Sequence, residues 1–219
     1  MMARALCLLI GYLFGSLQTG YIMSRLRGFD IRSYGSHSTG ATNSLRVMGT
    51  GAGAAVLLGD ALKALIPCFA VRLFYGGRGD IQMLMLLWTA CGVILGHDYP
   101  FYLGFRGGKG VASTVGVLLA LDVRLALLWC GLFLVVVLVS RFVSLASMLS
   151  MLLLIVLCIG GRLQGALPTA DHCASEFMAL GIFLPSLSIW RHRSNIGRLC
   201  KGTESRLNLR SKGMHVGKK

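Results

Sequence analysis

Acidic residues are scarce in this chain: eight Asp and Glu stand against 22 Lys and Arg in 219 residues, a formal net charge of +14. Charge of either sign is sparse, at 14% of residues, while apolar residues reach 55% and mean hydropathy is +0.70. That balance excludes a soluble globular domain. The basic excess does not point to nucleic acid, because the cations are interleaved with apolar runs of membrane length. It fits topological bias and contact with anionic lipid or substrate. The seven cysteines contain no C-x-x-C pair and lie mostly inside apolar runs, as buried small hydrophobes do. No H-E-x-x-H or other Cys/His metal spacing occurs, no G-x-S-x-G elbow, and no histidine with Asp five positions on. No metal is expected. No repeat or low-complexity tract is visible, and the N-terminus carries a lone Arg4 without a small-x-small cleavage site, which predicts a retained first span.

What is present is a series of apolar runs, at about 3–23, 51–74, 81–95, 107–121, 123–139, 144–159 and 175–189. The run from 111 to 140 is interrupted only at Asp122-Val123-Arg124. A single helix of that length would measure about 45 Å, well over the hydrocarbon core, so two short helices are expected there. The sequence therefore predicts an all-α integral membrane protein with seven transmembrane helices, some short. The N-terminus lies outside and the C-terminus is cytoplasmic. In that arrangement about 16 of the 22 basic residues lie inside, as the positive-inside rule expects. The chain reads as one membrane-embedded domain over 1–219, ending in a basic cytoplasmic tail over 191–219. Ser16, Gln18 and Thr19 suggest that the end of the first span lines a protein interior. Small residues from Gly49 to Ala55 suit close helix packing at the start of the second.

Three polar islands fall on the predicted cytoplasmic side. The first, 35–46, offers Ser36, Asn43 and Arg46; a Ser/Thr-rich turn with a helix cap explains it equally well. The second, 96–110, carries Lys109 among Gly107, Gly108 and Gly110. Their backbone N–H groups, uncovered by side chains at a helix start, would suit phosphate. It is not a nucleotide P-loop, because Gly110 follows the lysine, and a tight turn between spans is the alternative. The third, 192–204, holds His192, Asn195 and Glu204, with a juxtamembrane basic anchor as the alternative. That anchor is the preferred reading of Arg193, Lys201, Arg206, Arg210, Lys212, Lys218 and Lys219. Asp60 and Lys63, three apart within a span, share a helix face and are expected to pair, as structure or as part of a site. Asp171-His172-Cys173 lies on the predicted outer face, away from the islands.

Together the islands resemble the bacterial acyl-phosphate-dependent glycerol-3-phosphate acyltransferases. The resemblance rests first on Gly15-Ser16-Leu17-Gln18-Thr19-Gly20-Tyr21, Asp30-Ile31-Arg32 and the run from Gly35 to Arg46. Gly96 to Ala112 is similar to G-H-x-F-P-x-F-x-x-F-x-G-G-K-G-V-A, and His192 to Glu204 to H-x-x-N-I-x-R-L-x-x-G-T-E. The Asp60 and Lys63 pair and Arg141-Phe142-Val143-Ser144-Leu145 lie between. The chain departs from the pattern at Gln18 (usually proline), Ala64 (glycine) and His37-Ser38 (Gly-Asn). The last change adds side-chain bulk beside Ser36.

The resemblance implies transfer of a fatty acyl group from a long-chain acyl phosphate to the 1-hydroxyl of glycerol 3-phosphate. Lysophosphatidic acid and inorganic phosphate would result, in phospholipid biosynthesis at the bacterial inner membrane. It implies no cofactor, membrane lipids as partners, and functional coupling to the enzyme that makes acyl phosphate. Its expected catalytic residues are Ser36, Arg46, Lys109, His192 and Asn195. Asn43, Gly107, Gly108, Gly110 and Ser144 are expected to bind substrate, with Asp60, Lys63 and Glu204 in support. A transporter for an anionic metabolite would use the same cations, though no internal pseudo-symmetry supports it. A membrane scaffold without catalysis is the third reading.

Overall fold

The computed structural model describes residues 1–79, 81–208 and 213, and every regular element among them is helical. In chain order the α-helices are α1 (Met2–Gly15), α2 (Thr19–Leu26), α3 (Ala41–Met48), α4 (Thr50–Phe74), α5 (Gln82–Asp98), α6 (Val111–Leu121), α7 (Val123–Ser140), α8 (Val143–Leu163), α9 (Asp171–Arg191) and α10 (Arg193–Cys200), with short 3-10 turns at Ile31–Ser33 and Phe101–Leu103. The expected break at Asp122 is present: its backbone is extended and its carboxylate caps α7 by accepting from the Arg124 N–H at 2.7 Å.

Five segments are long and apolar enough to cross a bilayer: Met2–Leu26, which joins α1 and α2, then α4, α7, α8 and α9. At 17 and 11 residues, α5 and α6 measure only about 25 and 16 Å, so length alone does not support seven spans. Apolar side chains such as Leu58, Ile66, Leu127, Leu134 and Leu138 are turned outward, as lipid contact requires and water does not permit. The chain is a multi-pass membrane protein.

Two predicted boundaries need correction. The first span is not one helix. It stops at Gly15 and restarts at Thr19, where the Gln18 side chain donates to the freed Gly15 carbonyl and reaches across to the Gly96 and His97 carbonyls of α5. The fourth begins at Val111 rather than 107, since 107–110 is a turn packed against the end of α5.

A close crossing of α1 and α5 organises the interior. Gly11 and Gly15 face Gly92 and Gly96, a G-x-x-x-G pair on each helix. A Cβ on Gly15 would stand 2.1 Å from the Val93 carbonyl oxygen, and one on Gly96 2.2 Å from that of Tyr12. Only glycine lets the backbones approach this far. The crossing brings the break at 16–18 beside His97, at the end where the islands meet.

Candidate active site

Four helices begin at one place. The first turns of α3, α6, α8 and α10 line a single cavity of ≈ 110 Å³, and all three islands contribute to it. Unpaired first-turn N–H groups and the positive dipole end favour an anion at the starts of α3, α6 and α8, whereas α10 follows α9 after His192 alone. Ser36, Asn43, Arg46, Lys109, Ser144, His192, Asn195 and Glu204 all line the cavity, as does Asp60 at its base.

A polar network crosses it. The Lys109 ammonium donates to the Asn195 carbonyl oxygen, and the Asn195 amide donates to Glu204 at 2.7 Å. Glu204 also accepts from Ser144 at 2.8 Å and from Arg198 at 2.6 Å. Burial works against the Glu204 carboxylate, yet hydrogen bonds from Asn195, Ser144 and Arg198 hold its pKa below the usual range. Glu204 thus pairs with Arg198 and balances part of the cavity's charge. Arg46 reaches over the rim to the Ser205 carbonyl at 3.2 Å. Burial, then repulsion from Arg198, pushes Lys109 down to about 8. His192 is 3% exposed, and burial followed by the Lys109 charge pushes it down to about 4. Its Nδ1 lies 2.7 Å from the Ser188 carbonyl, which only accepts. The proton therefore sits on Nδ1, and Nε2 is left as an acceptor.

Under the cavity, Lys63 uses all three of its donors: Asp60 at 2.9 Å, the Leu17 carbonyl at 2.6 Å and His97 Nδ1 at 2.8 Å. Thr19 adds a hydrogen bond to Asp60 at 3.1 Å. An ammonium only donates, so the His97 proton is on Nε2.

Three expectations about individual residues change. Gly107 and Gly108 do not line the cavity, and their N–H groups are already engaged by the Asp98 and His97 carbonyls at 3.1 and 2.9 Å. Glycine is needed there for space: a Cβ on Gly108 would lie 1.9 Å from His97 Nε2. Gly110 adopts a left-handed backbone (φ +76°), and its carbonyl accepts the first bond of α6, from Thr114, at 2.8 Å. Among the described residues, the N–H groups without partners are therefore those from Lys109 into the first turn of α6. Asn43 lines the cavity, but its amide is committed to the loop before it. It accepts from the Ser36 N–H at 2.8 Å and donates to the Ser38 and Tyr34 carbonyls. These bonds hold the loop that carries Ser36.

Residues 5–202 match the family described as glycerol-3-phosphate acyltransferase. The chain belongs to the glycerol-3-phosphate acyltransferase family. A member from Thermosynechococcus vestitus is 42% identical, the match covering 91% of this chain and 92% of that one. Another, from Shouchella clausii, is 40% identical over 91% and 93%. The crystal structure of an integral membrane glycerol 3-phosphate acyltransferase in its glycerol 3-phosphate form superposes with a TM-score of 0.79 at 33% identity, covering 94% of this chain and 96% of that one. The lysophosphatidic acid form of that protein gives 0.77 at 32%, over 95% and 97%.

The departures from the family pattern now have physical accounts. Gln18, 1% exposed, donates to the Gly96 and His97 carbonyls at 3.3 and 3.0 Å and accepts from Thr39 at 2.7 Å. It joins the first island to the second. Ala64 is fully buried where α4 meets α5 and α6. His37 takes a left-handed backbone (φ +57°), and its exposed ring reaches the Arg32 carbonyl at 2.8 Å. Its bulk lies beside Arg32 and Arg106, outside the cavity, whereas Ser38 lines the cavity wall. Sequence reasoning missed Ser188 and Arg191, which lie just ahead of the third island. Nothing in their spacing marks them. Of the basic tail, Arg210, Lys212, Lys218 and Lys219 lie outside the described residues.

Proposed function

We propose that this family member transfers an acyl group from a long-chain acyl phosphate to the 1-hydroxyl of glycerol 3-phosphate, releasing inorganic phosphate and lysophosphatidic acid. The observation that carries this reading is the convergence of Arg46, Lys109 and His192 on one cavity formed by four helix starts. Such a cavity suits two phosphate groups that repel each other in water. The related enzyme's glycerol 3-phosphate and lysophosphatidic acid forms supply an acceptor and a product of matching chemistry.

In the reaction the glycerol oxygen attacks the acyl carbon, a new C–O ester bond forms, and the bond from that carbon to the phosphate oxygen breaks. The anhydride is already activated, so no covalent enzyme intermediate is required. Lys109 and the amides leading into α6 hold the departing phosphate, and Arg46 and Ser36 hold glycerol phosphate. Asn195 and Ser144 orient the two substrates. The hydroxyl proton passes to His192 Nε2 or to the departing phosphate itself. An apolar groove of ≈ 190 Å³ begins a turn along α6 at Thr114 and runs between α8 and α9, past Met151 and Leu154 to Gly161 and Leu167. It receives the acyl tail from the bilayer. Neither coenzyme A nor acyl carrier protein is the direct donor, and coupling to the enzyme that makes acyl phosphate follows from that.

The shared cavity also supports seven crossings. The starts of α3, α6, α8 and α10 must lie on one side, so each intervening pair (α4–α5, α6–α7, α8–α9) crosses and returns, and the α1–α2 segment adds one. The membrane is thinned at α6. The N-terminus is then outside, and the cation-rich side, with the active site, is the cytoplasmic face of the inner membrane.

Radiolabelled glycerol 3-phosphate and acyl phosphate, supplied to the purified protein in micelles, should yield lysophosphatidic acid. Lys109→Met is expected to lower turnover by about a thousandfold while the protein stays folded and inserted. No product from the unaltered protein would refute the reading. A pH–rate profile unchanged by His192→Ala would assign the proton to the phosphate.

A further inference from the structure

The Lys109 loop is held from behind by the last turn of α9. Arg191 directs two N–H groups, from Nη2 at 2.8 Å and Nε at 3.2 Å, onto the Gly108 carbonyl. Ser188 Oγ donates to the next carbonyl, that of Lys109, at 2.8 Å. In a trans peptide the N–H points opposite to the C=O of the same plane. The N–H groups of Lys109 and Gly110 are therefore turned away from α9, and neither has a partner among the described residues. Arg191 is fixed in turn. Its guanidinium centre lies 4.9 Å from the Tyr99 ring centroid, and Nε is 3.9 Å from the carboxylate of Asp98. Asp98 is fully buried, and neither of its oxygens has a hydrogen-bond partner among the described residues. It lies behind the loop and does not face the cavity.

We propose that Ser188 and Arg191 are positioning residues that set the peptide planes of the Lys109 loop, and with them the amide hydrogens that meet phosphate. The proposal rests on reading that loop as the phosphate site of the donor. It differs from a general ion-pair role. A lysine at 191 would keep a charge beside Asp98 but could not place two donors on one carbonyl, which needs the planar guanidinium fork.

The test uses the full-length protein in micelles, comparing the unaltered chain with Arg191→Lys, Ser188→Ala and Arg191→Met. Steady-state kinetics and protection of the folded state by inorganic phosphate are measured side by side. For Arg191→Lys the expected results are a fall in kcat of about a hundredfold, KM for glycerol 3-phosphate within about twofold, weakened phosphate protection and an unchanged melting midpoint. Ser188→Ala should show the same pattern at about tenfold, since one hydrogen bond is lost rather than two. Arg191→Met should be the most damaged and the least stable, since it loses both donors to the Gly108 carbonyl and the contact with the Tyr99 ring. Wild-type kcat and phosphate protection in both Arg191→Lys and Ser188→Ala would overturn the proposal. So would losses that merely track the fraction of folded protein. The phosphate arm is independent of the donor: an unaltered protein that binds phosphate but does not use acyl phosphate would refute the donor assignment, while weakened binding in Arg191→Lys would still support the positioning role.

Discussion

Lys63→Met is the most informative single perturbation of the buried network. Methionine fills the lysine's length but removes three donors at once, from Asp60 at 2.9 Å, the Leu17 carbonyl at 2.6 Å and His97 at 2.8 Å. Asp60 keeps only its hydrogen bond from Thr19, at 1% exposure. Stranding one member of a buried pair costs about 3–5 kcal/mol, far more than the intact pair contributes over two apolar residues. At about 2–4 °C per kcal/mol for a chain of this size, the melting midpoint in detergent should fall by roughly 6–20 °C. Asp60→Asn/Lys63→Met removes the stranded charge and should recover at least about half of that loss. Thermal unfolding followed by tryptophan fluorescence at pH 7 measures both. A single variant melting within about 2 °C of the unaltered protein, or a double variant no more stable than the single one, would refute the reasoning. Turnover of the double variant then separates a purely structural pair, which regains activity with stability, from one that also meets substrate at the cavity base.

Two further outcomes follow from the same geometry. Lys109 holds phosphate only while protonated, and its pKa in the free protein is about 8. The kcat/KM measured against pH should therefore be flat up to about 8 and fall close to tenfold per unit above it, and Lys109→Arg should move that limb upward by two units or more. Gln18→Leu keeps the volume but leaves the Thr39 hydroxyl and the Gly96 and His97 carbonyls without their partner. It should lower stability by about 2–3 kcal/mol, and loosened coupling between the first two islands should appear as a lower kcat in the glycerol 3-phosphate assay.

Much of the architecture was legible because it depends on composition along the chain. Apolar runs, the break at Asp122 and the distribution of basic residues are one-dimensional properties, and a bilayer sorts segments by them. The islands were legible because residues that handle phosphate stand out against an apolar background. Helix ends were less so. The stop at Gly15 is hidden in an apolar run, where the Gln18 side chain bonds across to another helix.

The amino-acid sequence by itself determined that this is a helical membrane protein of the glycerol-3-phosphate acyltransferase family, with its polar chemistry confined to three stretches. Only the tertiary structure decided which groups in those stretches are free to act. Gly107, Gly108 and Asn43 look like ligands in the sequence, yet their donors are engaged by carbonyls at the end of α5 and in the loop before α3. Ser188 and Arg191 look like the unremarkable end of a span, yet they orient the loop that carries Lys109. The physical reason is that a hydrogen-bonding group has a small number of partners, and in a site drawn from four helix starts those partners come from segments far apart in the chain.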